Sequence, residues 1–541
     1  MKLKFLAIVQ IVSTLILSMP AFAEIQTVTH TVQQPFGGSQ SPDDARTAGI
    51  ARAKREALER FGTYIESKTI VKDSQLDSDE ILALTAGVTK AEVIKQKNYT
   101  DGDGFGLEIT VKVELDTSVL EKSLKRLLAD RNFFKDLKDS REREKKLLAQ
   151  IAELQKENMK KGRTKQQSAK LKKEFNAASQ GLAAVEWFGK AYPLLDGGEY
   201  TDLEKAIEYL TKAIRLDPNY AYAYINRGGA YKSLKRADLA IADYGQAIRL
   251  KPNNTAAYNN RGIAYRSLNQ VDLAIADFDQ AIHLDPNFAA IYLNRGAAYL
   301  DLNQFDRAIA DFDQAIRLDP NFAGPAGAYA GRGSAYFKQK QYNKAISDYT
   351  QAINIKSDDA GLYYSRGVAY GKSKQYINAI ADLDQSILLQ PYDANTLKYR
   401  GLAYFSLRQY ANSIIDFNRA IQLQQNDAEV FFFRGFSYRL LNNVDQAIID
   451  FTHAIQLKPD YAEALNKRGS VYLNIRQFTK AIEDFDQAIR IKPDYADAFS
   501  GRGVAYASMG DQNQACKNFH MACNLGDCKY SEESLNDGMC R

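Results

Sequence analysis

The chain has 541 residues, 45% hydrophobic and 25% charged, with a formal net charge of +5. That length exceeds what one compact core supports, so several domains or an elongated array are expected. The ordinary composition excludes wholesale disorder, and 32 Tyr against one Trp and 12 Pro point to a sequence copied many times.

The N-terminus reads as an export signal. Lys2 and Lys4 precede an apolar run from Phe5 to Leu17, and Ala21-Phe22-Ala23 is a small-x-small cleavage site. Residues 1–23 are therefore expected to leave as a signal peptide of bacterial type, placing the mature chain in the periplasm from Glu24. The run is short and lacks basic flanks beyond it, which argues against an anchor, and no later apolar run approaches spanning length. No stable membrane insertion is expected after cleavage.

Residues 24–117 read as a small α/β domain. Ile25 to Val32 alternates like a strand, and Asp43 to Phe61 is helical with Ala48, Ala51, Ala53 and Ala57 as a packable face. Asp101-Gly102-Asp103-Gly104 marks a hairpin turn into Leu107 to Leu115, whose apolar residues all fall at odd numbers. The stretch Ala48 to Leu58 with this hairpin resembles the N-terminal domains of flagellar assembly T-type and related envelope proteins.

Residues 118–182 read as a charged helical connector. Between Glu121 and Asn176 there are 18 Lys and Arg against 9 Asp and Glu. The acidic residues are interspersed and no aromatics interleave, so a solvated helix is favoured over a nucleic-acid surface. Leu147, Ile151 and Leu154 make a seam fit for a short coiled coil that spaces two domains or joins a homo-oligomer.

From residue 183 a fixed period dominates. Pro218, Pro252, Pro286 and Pro320 lie 34 residues apart; after an insertion around Gly324-Pro325-Ala326 the register resumes through Pro391, Pro459 and Pro493. In the unit starting at Ala221, Tyr224, Gly228 and Tyr231 share one face of a first helix. Ala240, Tyr244 and Ala247 share one face of a second. Small residues let the helices approach, large ones fill the space beside them, and Pro252 ends the unit.

This pattern resembles the tetratricopeptide repeat, again at Tyr258, Gly262, Tyr265, Ala274, Phe278, Ala281 and Pro286, and at Leu465, Gly469, Tyr472, Ala481, Phe485, Ala488 and Pro493. The resemblance implies a mainly α fold, a right-handed α-solenoid of about ten helix-turn-helix units over residues 183–529. The first unit is irregular, with Trp187 in its opening helix and an insertion near Asp196-Gly197-Gly198.

Frame position 7 is Arg in nine units: Arg227, Arg261, Arg295, Arg332, Arg366, Arg400, Arg434, Arg468 and Arg502. Position 23 is Asp in eight of them: Asp243, Asp277, Asp311, Asp348, Asp382, Asp416, Asp450 and Asp484; the ninth has Asn518. Antiparallel pairing places 7 beside 23, so an Arg–Asp ladder fixing helix register is expected; the competing reading is an Arg row for an anionic ligand.

In the family the ligand groove is lined chiefly by first-helix positions 2, 5, 9 and 12. Here they vary most, and in mid-array they supply Tyr364, Lys398, Phe405, Phe432, Phe436 and Arg439 as partner-binding candidates. The pattern that clamps a chaperone's C-terminal carboxylate is absent: Asn259 is followed by Ile263, and Lys398 by Leu402.

All four cysteines, Cys516, Cys523, Cys528 and Cys540, fall near the C-terminus. Cys516 and Cys523 share a helix about 10 Å apart, which excludes their direct pairing. A further antiparallel turn would return Cys540 beside Cys516, so Cys516–Cys540 and Cys523–Cys528 are expected, with residues 530–541 as a stapled cap. A metal site of Cys516, His520 and Cys523 is the weaker reading.

The four histidines are scattered, and no nucleophile elbow, phosphate loop or zinc motif is present. No enzyme activity, cofactor or metal is expected. The function implied is a periplasmic scaffold holding an extended peptide or helix of another protein, with no nucleic-acid partner. The alternative is an envelope-assembly factor acting through residues 24–117, with the repeats oligomerising.

Overall fold

A computed structural model describes residues 25–36, 40–66, 89–101, 104–116, 131–158, 160, 164–191, 194–196, 199–320, 324–424 and 426–529. The expected signal peptide, Cys540 and the cap lie outside them. The chain divides into two compact bodies at Pro286/Asn287.

The first body opens with strand β1 (Ile25–Phe36), helix α1 (Pro42–Glu66), β2 (Thr89–Asp101) and β3 (Gly104–Asp116). The strands form an antiparallel sheet in the order β1-β3-β2. Ser41 starts α1 with a reciprocal cap. Its hydroxyl donates to Asp44 Oδ2 at 2.6 Å and accepts from the Asp44 amide at 3.1 Å. Leu107, Ile109, Val111 and Val113 of β3 are buried beneath α1. Contact is close enough that a Cβ at Gly49 would lie 2.6 Å from Ile109 Cδ1. Strand β2 has no clear signature in the sequence: it is largely exposed and its register shifts between Val93 and Lys95.

Helices α2 (Arg131–Asn158) and α3 (Lys165–Ala191) form a hairpin rather than a free spacer. Ile151 and Leu154 of α2 are buried against Leu171, Phe175, Ala178 and Leu182 of α3, with Leu147 beside them and Ala48 of α1 closing the cluster. The seam read as a short coiled coil, spacing two domains or joining a homo-oligomer, is thus covered within the chain. Lys54 of α1 donates to Glu186 of α3 at 3.1 Å, so both helices hold the sheet domain in place. Helix α3 runs through the expected boundary at residue 182. One apolar stripe, Phe175 to Phe188, serves the hairpin and then the first repeat.

That repeat pairs α3 with α4 (Leu203–Leu216) across the short hairpin β4 (Leu195–Asp196) and β5 (Glu199–Tyr200). Two regular pairs complete the body: α5 (Ala221–Ser233) with α6 (Ala237–Leu250), and α7 (Thr255–Ser267) with α8 (Val271–Leu284). Helix α2 reaches them as well: Ser140 and Tyr220 hydroxyls lie 2.8 Å apart, and Arg143 pairs with Asp217.

Among its described residues the second body holds seven consecutive pairs. They are α9 (Ala289–Asp301) with α10 (Phe305–Leu318), α11 (Gly324–Lys338) with α12 (Tyr342–Ile355), and α13 (Ala360–Lys372) with α14 (Tyr376–Leu389). Then follow α15 (Ala394–Ser406) with α16 (Tyr410–Leu423), α17 (Ala428–Leu440) with α18 (Val444–Leu457), α19 (Ala462–Asn474) with α20 (Phe478–Ile491), and α21 (Ala496–Ser508) with α22 (Gln512–Asn524).

Each pair is built alike. The position-20 residue, such as Ala345 or Ala481, is fully buried, and the position-24 side chain, aromatic except for Leu383 in the α13–α14 pair, fills the space against the position-8 glycine. A Cβ on Gly401 would come within 2.6 Å of Phe417. The turn between paired helices places position 15 in the left-handed region, as at Lys374 (φ 65°) and Asn442 (φ 63°). Asp393 and Asp427 cap the first helices that follow them.

Candidate functional site

The polar frame repeated from unit to unit decides which cations are free. Arg366 of α13 donates from Nε to Asp382 Oδ2 at 2.7 Å and from Nη2 to Asp382 Oδ1 at 2.8 Å. The same two-pronged pair joins Arg227 to Asp243, Arg261 to Asp277, Arg295 to Asp311 and Arg332 to Asp348. It recurs from Arg400 to Asp416, Arg434 to Asp450 and Arg468 to Asp484, while Arg502 donates to Asn518 Oδ1 at 2.7 Å.

The third prong was not read from the sequence. Arg366 Nη1 donates to Thr350 Oγ1 at 3.0 Å on α12, the helix of the preceding repeat. Arg400 reaches Asp384, Arg434 Asn418 and Arg468 Thr452 in the same way. The signal was available: frame position 25 carries Thr, Asp or Asn in most repeats. Each of these four guanidiniums therefore fixes one hairpin and ties it to the preceding repeat of the same body. Hydrogen bonding to Asp382 outweighs burial and holds the Arg366 guanidinium above its ordinary value. Aromatic rings at positions 4 and 11 flank the cation, Tyr363 at 5.8 Å and Tyr370 at 6.0 Å for Arg366. In eight of these arginines the Nε–Nη2 edge that would grip a carboxylate ligand is taken by the repeat's own Asp.

The variable face lies on the first helices of the second body. Tyr364 of α13 meets Tyr399 of α15 edge-on at 5.7 Å, and burial pushes its hydroxyl up to about 12. Lys398 is claimed by its own chain: Nζ donates to Asp427 Oδ2 at 2.9 Å and pairs with Glu429, bridging α15 to the start of α17. Phe405 of α15 packs on Phe433 and Phe436 of α17, at 5.3 and 5.2 Å between centroids. Phe432 is 7% exposed and wedged between Phe451 and Tyr461, a stacking residue between repeats more than a groove residue.

Phe436 stays half-exposed and carries two cations on its ring. Arg439 Cζ lies 4.9 Å from the centroid and Lys467 Nζ, from α19, 5.5 Å. Arg439 Nε is buried without a hydrogen-bond acceptor, and burial lowers this guanidinium from its ordinary value, opposite to Arg366. The structure thus brings Phe405, Phe436 and Arg439 together, leaves Tyr364 with Tyr399, and removes Lys398 and Phe432 to structural duty. Lys467 sits at position 6, which the groove positions 2, 5, 9 and 12 do not include.

At the C-terminal end Cys523 and Cys528 are disulfide-bonded. Cys516 is also disulfide-bonded, and the pairing expected for it involves Cys540, outside the described residues. His520 Nδ1 is within 2.8 Å of the Cys516 carbonyl, and among the described residues no His, Cys, Asp or Glu cluster suits a metal ion. Among them, too, no helix is long and apolar enough to cross a membrane.

Comparison with known proteins agrees with the helical pairs. Models described as "TPR repeat" match residues 228–266, 262–303, 333–374 and 477–510. Models described as "Tetratricopeptide repeat" match 289–322, and 201–220, 360–393, 400–427 and 428–461. These matches begin at residue 201, beyond the sheet domain likened to flagellar assembly T-type proteins. No curated protein matches the chain. Among solved structures, a tetratricopeptide repeat protein from Parabacteroides merdae is 21% identical, covering 48% of this chain and 99% of its own, with TM-score 0.38. MamA is 26% identical over 30% of this chain and 96% of its own, TM-score 0.29. YrrB, titled a TPR protein with an unusual peptide-binding site, is 24% identical over 35% and 97%, TM-score 0.30. With ten paired-helix units among the described residues and family models matching along them, the chain belongs to the tetratricopeptide-repeat family, whose fold is a scaffold for protein–protein interaction.

Proposed function

We propose that the chain is an exported scaffold that holds an extended peptide or a helix of another protein on the first-helix face around Phe405, Phe436 and Arg439. One contrast carries this reading. Inside the repeats the Nε–Nη2 edge of eight ladder arginines grips the unit's own Asp, whereas this face keeps partly exposed aromatics and, among the described residues, a guanidinium with no carboxylate. Aromatics and Arg at the centre of a patch are the side chains that dominate binding energy. The Cys523–Cys528 disulfide supports an oxidising compartment, in line with the leader-like residues 1–23.

The test is site-specific photo-crosslinking in cells, with the reactive group at position 436 and, as control, at Ile377 on the second helix α14, which is 74% exposed. Discrete partner bands at 436 and none at 377 are expected. Equal labelling at both positions would remove the assignment of this face. Export is checked separately by the mass of the chain in a periplasmic fraction, which should begin at Glu24.

A further inference from the structure

Three cations stand on the α15–α19 face. Lys398 is neutralised by Asp427 and Glu429. Arg439 and Lys467 are not: among the described residues neither has an ion-pair partner, and both rest on the ring of Phe436. A ring face attracts a cation but satisfies none of its directed N–H groups. The edge that grips a carboxylate in the ladder arginines is Nε with Nη2. In Arg439 the Nε of that edge is buried and unclaimed, so among the described residues the chain itself leaves this cation unneutralised, while the residue as a whole stays partly exposed to an incoming anion. The fold does not require Arg here, because the same frame position is Gly371, Phe405 and Leu473 in neighbouring repeats. On the adjacent first helix Asn466 Oδ1 is likewise buried without a donor.

We propose that Arg439 and Lys467, held over Phe436, form an anion-recognition site for carboxylate side chains of an acidic segment in a partner protein, whose apolar residues lie against Phe405 and Phe436. This rests on the interaction-face reading above. Charge complementarity selects the occupant: two uncompensated cations, one with a planar fork that matches a carboxylate, favour Glu or Asp over a neutral amide. The edge-on Tyr364–Tyr399 pair on the preceding repeats extends the aromatic floor on the same helix face.

The experiment uses the full-length chain and an array of short peptides of varied sequence, each made in a Glu and a Gln version. Glu versions should bind about tenfold tighter or more, with the advantage shrinking as salt rises. Arg439→Gln should abolish that advantage, Arg439→Lys should keep part of it, and Lys467→Gln should reduce it while helical circular dichroism stays unchanged. Should Arg439→Gln fail to fold, Arg439→Lys and Lys467→Gln decide. Equal binding of Glu and Gln versions, with crosslinking at position 436 still intact, overturns the acidic segment and leaves the interaction face standing. No binding and no crosslink at 436 overturns both. Salt-sensitive self-association lost in Arg439→Gln, seen by sedimentation, would make the occupant a second copy and overturn the partner assignment.

Discussion

Arg366 grips Asp382 with Nε and Nη2 at 2.7 and 2.8 Å while its Nη1 reaches Thr350 of the preceding repeat at 3.0 Å. One side chain thus sets the register of a hairpin and its stacking on the neighbour. In a protein whose stability is a sum of repeat and interface terms, such a residue acts on both. The carboxylate is 7% exposed, so losing it strands a largely desolvated cation. Asp382→Ala should cost about 3 kcal/mol, read as faster amide exchange in α13 and α14. Unchanged exchange there would show that the pair contributes nothing.

The inter-helix turn offers a gain rather than a loss. Lys374 occupies the left-handed region at φ 65°, where Gly510 in the last pair sits at φ 86°. A Cβ in that region costs about 1 kcal/mol, partly offset by the unfolded-state entropy of glycine. Lys374→Gly should therefore raise stability by about 0.5 kcal/mol, and Lys374→Val should lower it by about 1–2 kcal/mol. Denaturant melts of the three chains settle the order.

Ser413 and Ser437 replace the alanine usual at positions 20 and 10, and their hydroxyls lie 2.8 Å apart with both residues fully buried. Each also donates to or approaches a backbone carbonyl, Tyr410 O at 2.7 Å and Phe433 O at 2.9 Å. A double-mutant cycle to Ala should give a coupling of about 1 kcal/mol. Additive single changes would mean the two hydroxyls act only on their own helices.

Gly401 faces the ring of Phe417 so closely that a Cβ would lie 2.6 Å from Cε1. Gly401→Ala should cost about 2 kcal/mol despite its gain in helix propensity. The loss should be recovered in part when Phe417 is shortened to Leu, as in the natural pair Gly367 and Leu383. Thermal unfolding of single and double variants provides the comparison.

The sheet domain should loosen in acid. Burial raises the Glu186 carboxyl, but Lys54 at 3.1 Å and Lys190 at 3.3 Å outweigh it and hold it below its ordinary value. A folded-state pKa below the unfolded one gives stability that is present above about pH 4.5 and lost as pH falls through the folded value. Amide exchange in α1 should therefore accelerate below that pH. In Glu186→Gln it should already be faster at neutral pH and show a smaller acid response.

Periodicity made the repeats legible because each unit solves the same packing problem with the same residue sizes. Position 8 against 24, and 7 against 23, follow from antiparallel pairing alone. Strand β2 was not legible, since an exposed edge strand needs no apolar alternation. Of the six candidate contact residues, frame position told which helix face they share. It did not tell that Lys398 is spent on Asp427 and Glu429, or that Phe432 is wedged against Tyr461. Those partners sit one repeat away.

By itself, then, the sequence determined the local and repetitive part of this protein: the helix pairs, their turns and the Arg–Asp partners within each pair. Those depend on residues at most one repeat apart, whose geometry the helix period dictates. Only the tertiary structure decided where long-range surface goes. It buried Ile151 and Leu154 inside the chain, with Leu147 beside them, ran α3 through the expected boundary, and made the connector a bracket between sheet and repeats. Among the described residues it also left Arg439 without a carboxylate. An apolar seam or a cation looks the same in sequence whether its partner lies in the same chain or in another, because burial is a property of the whole packing.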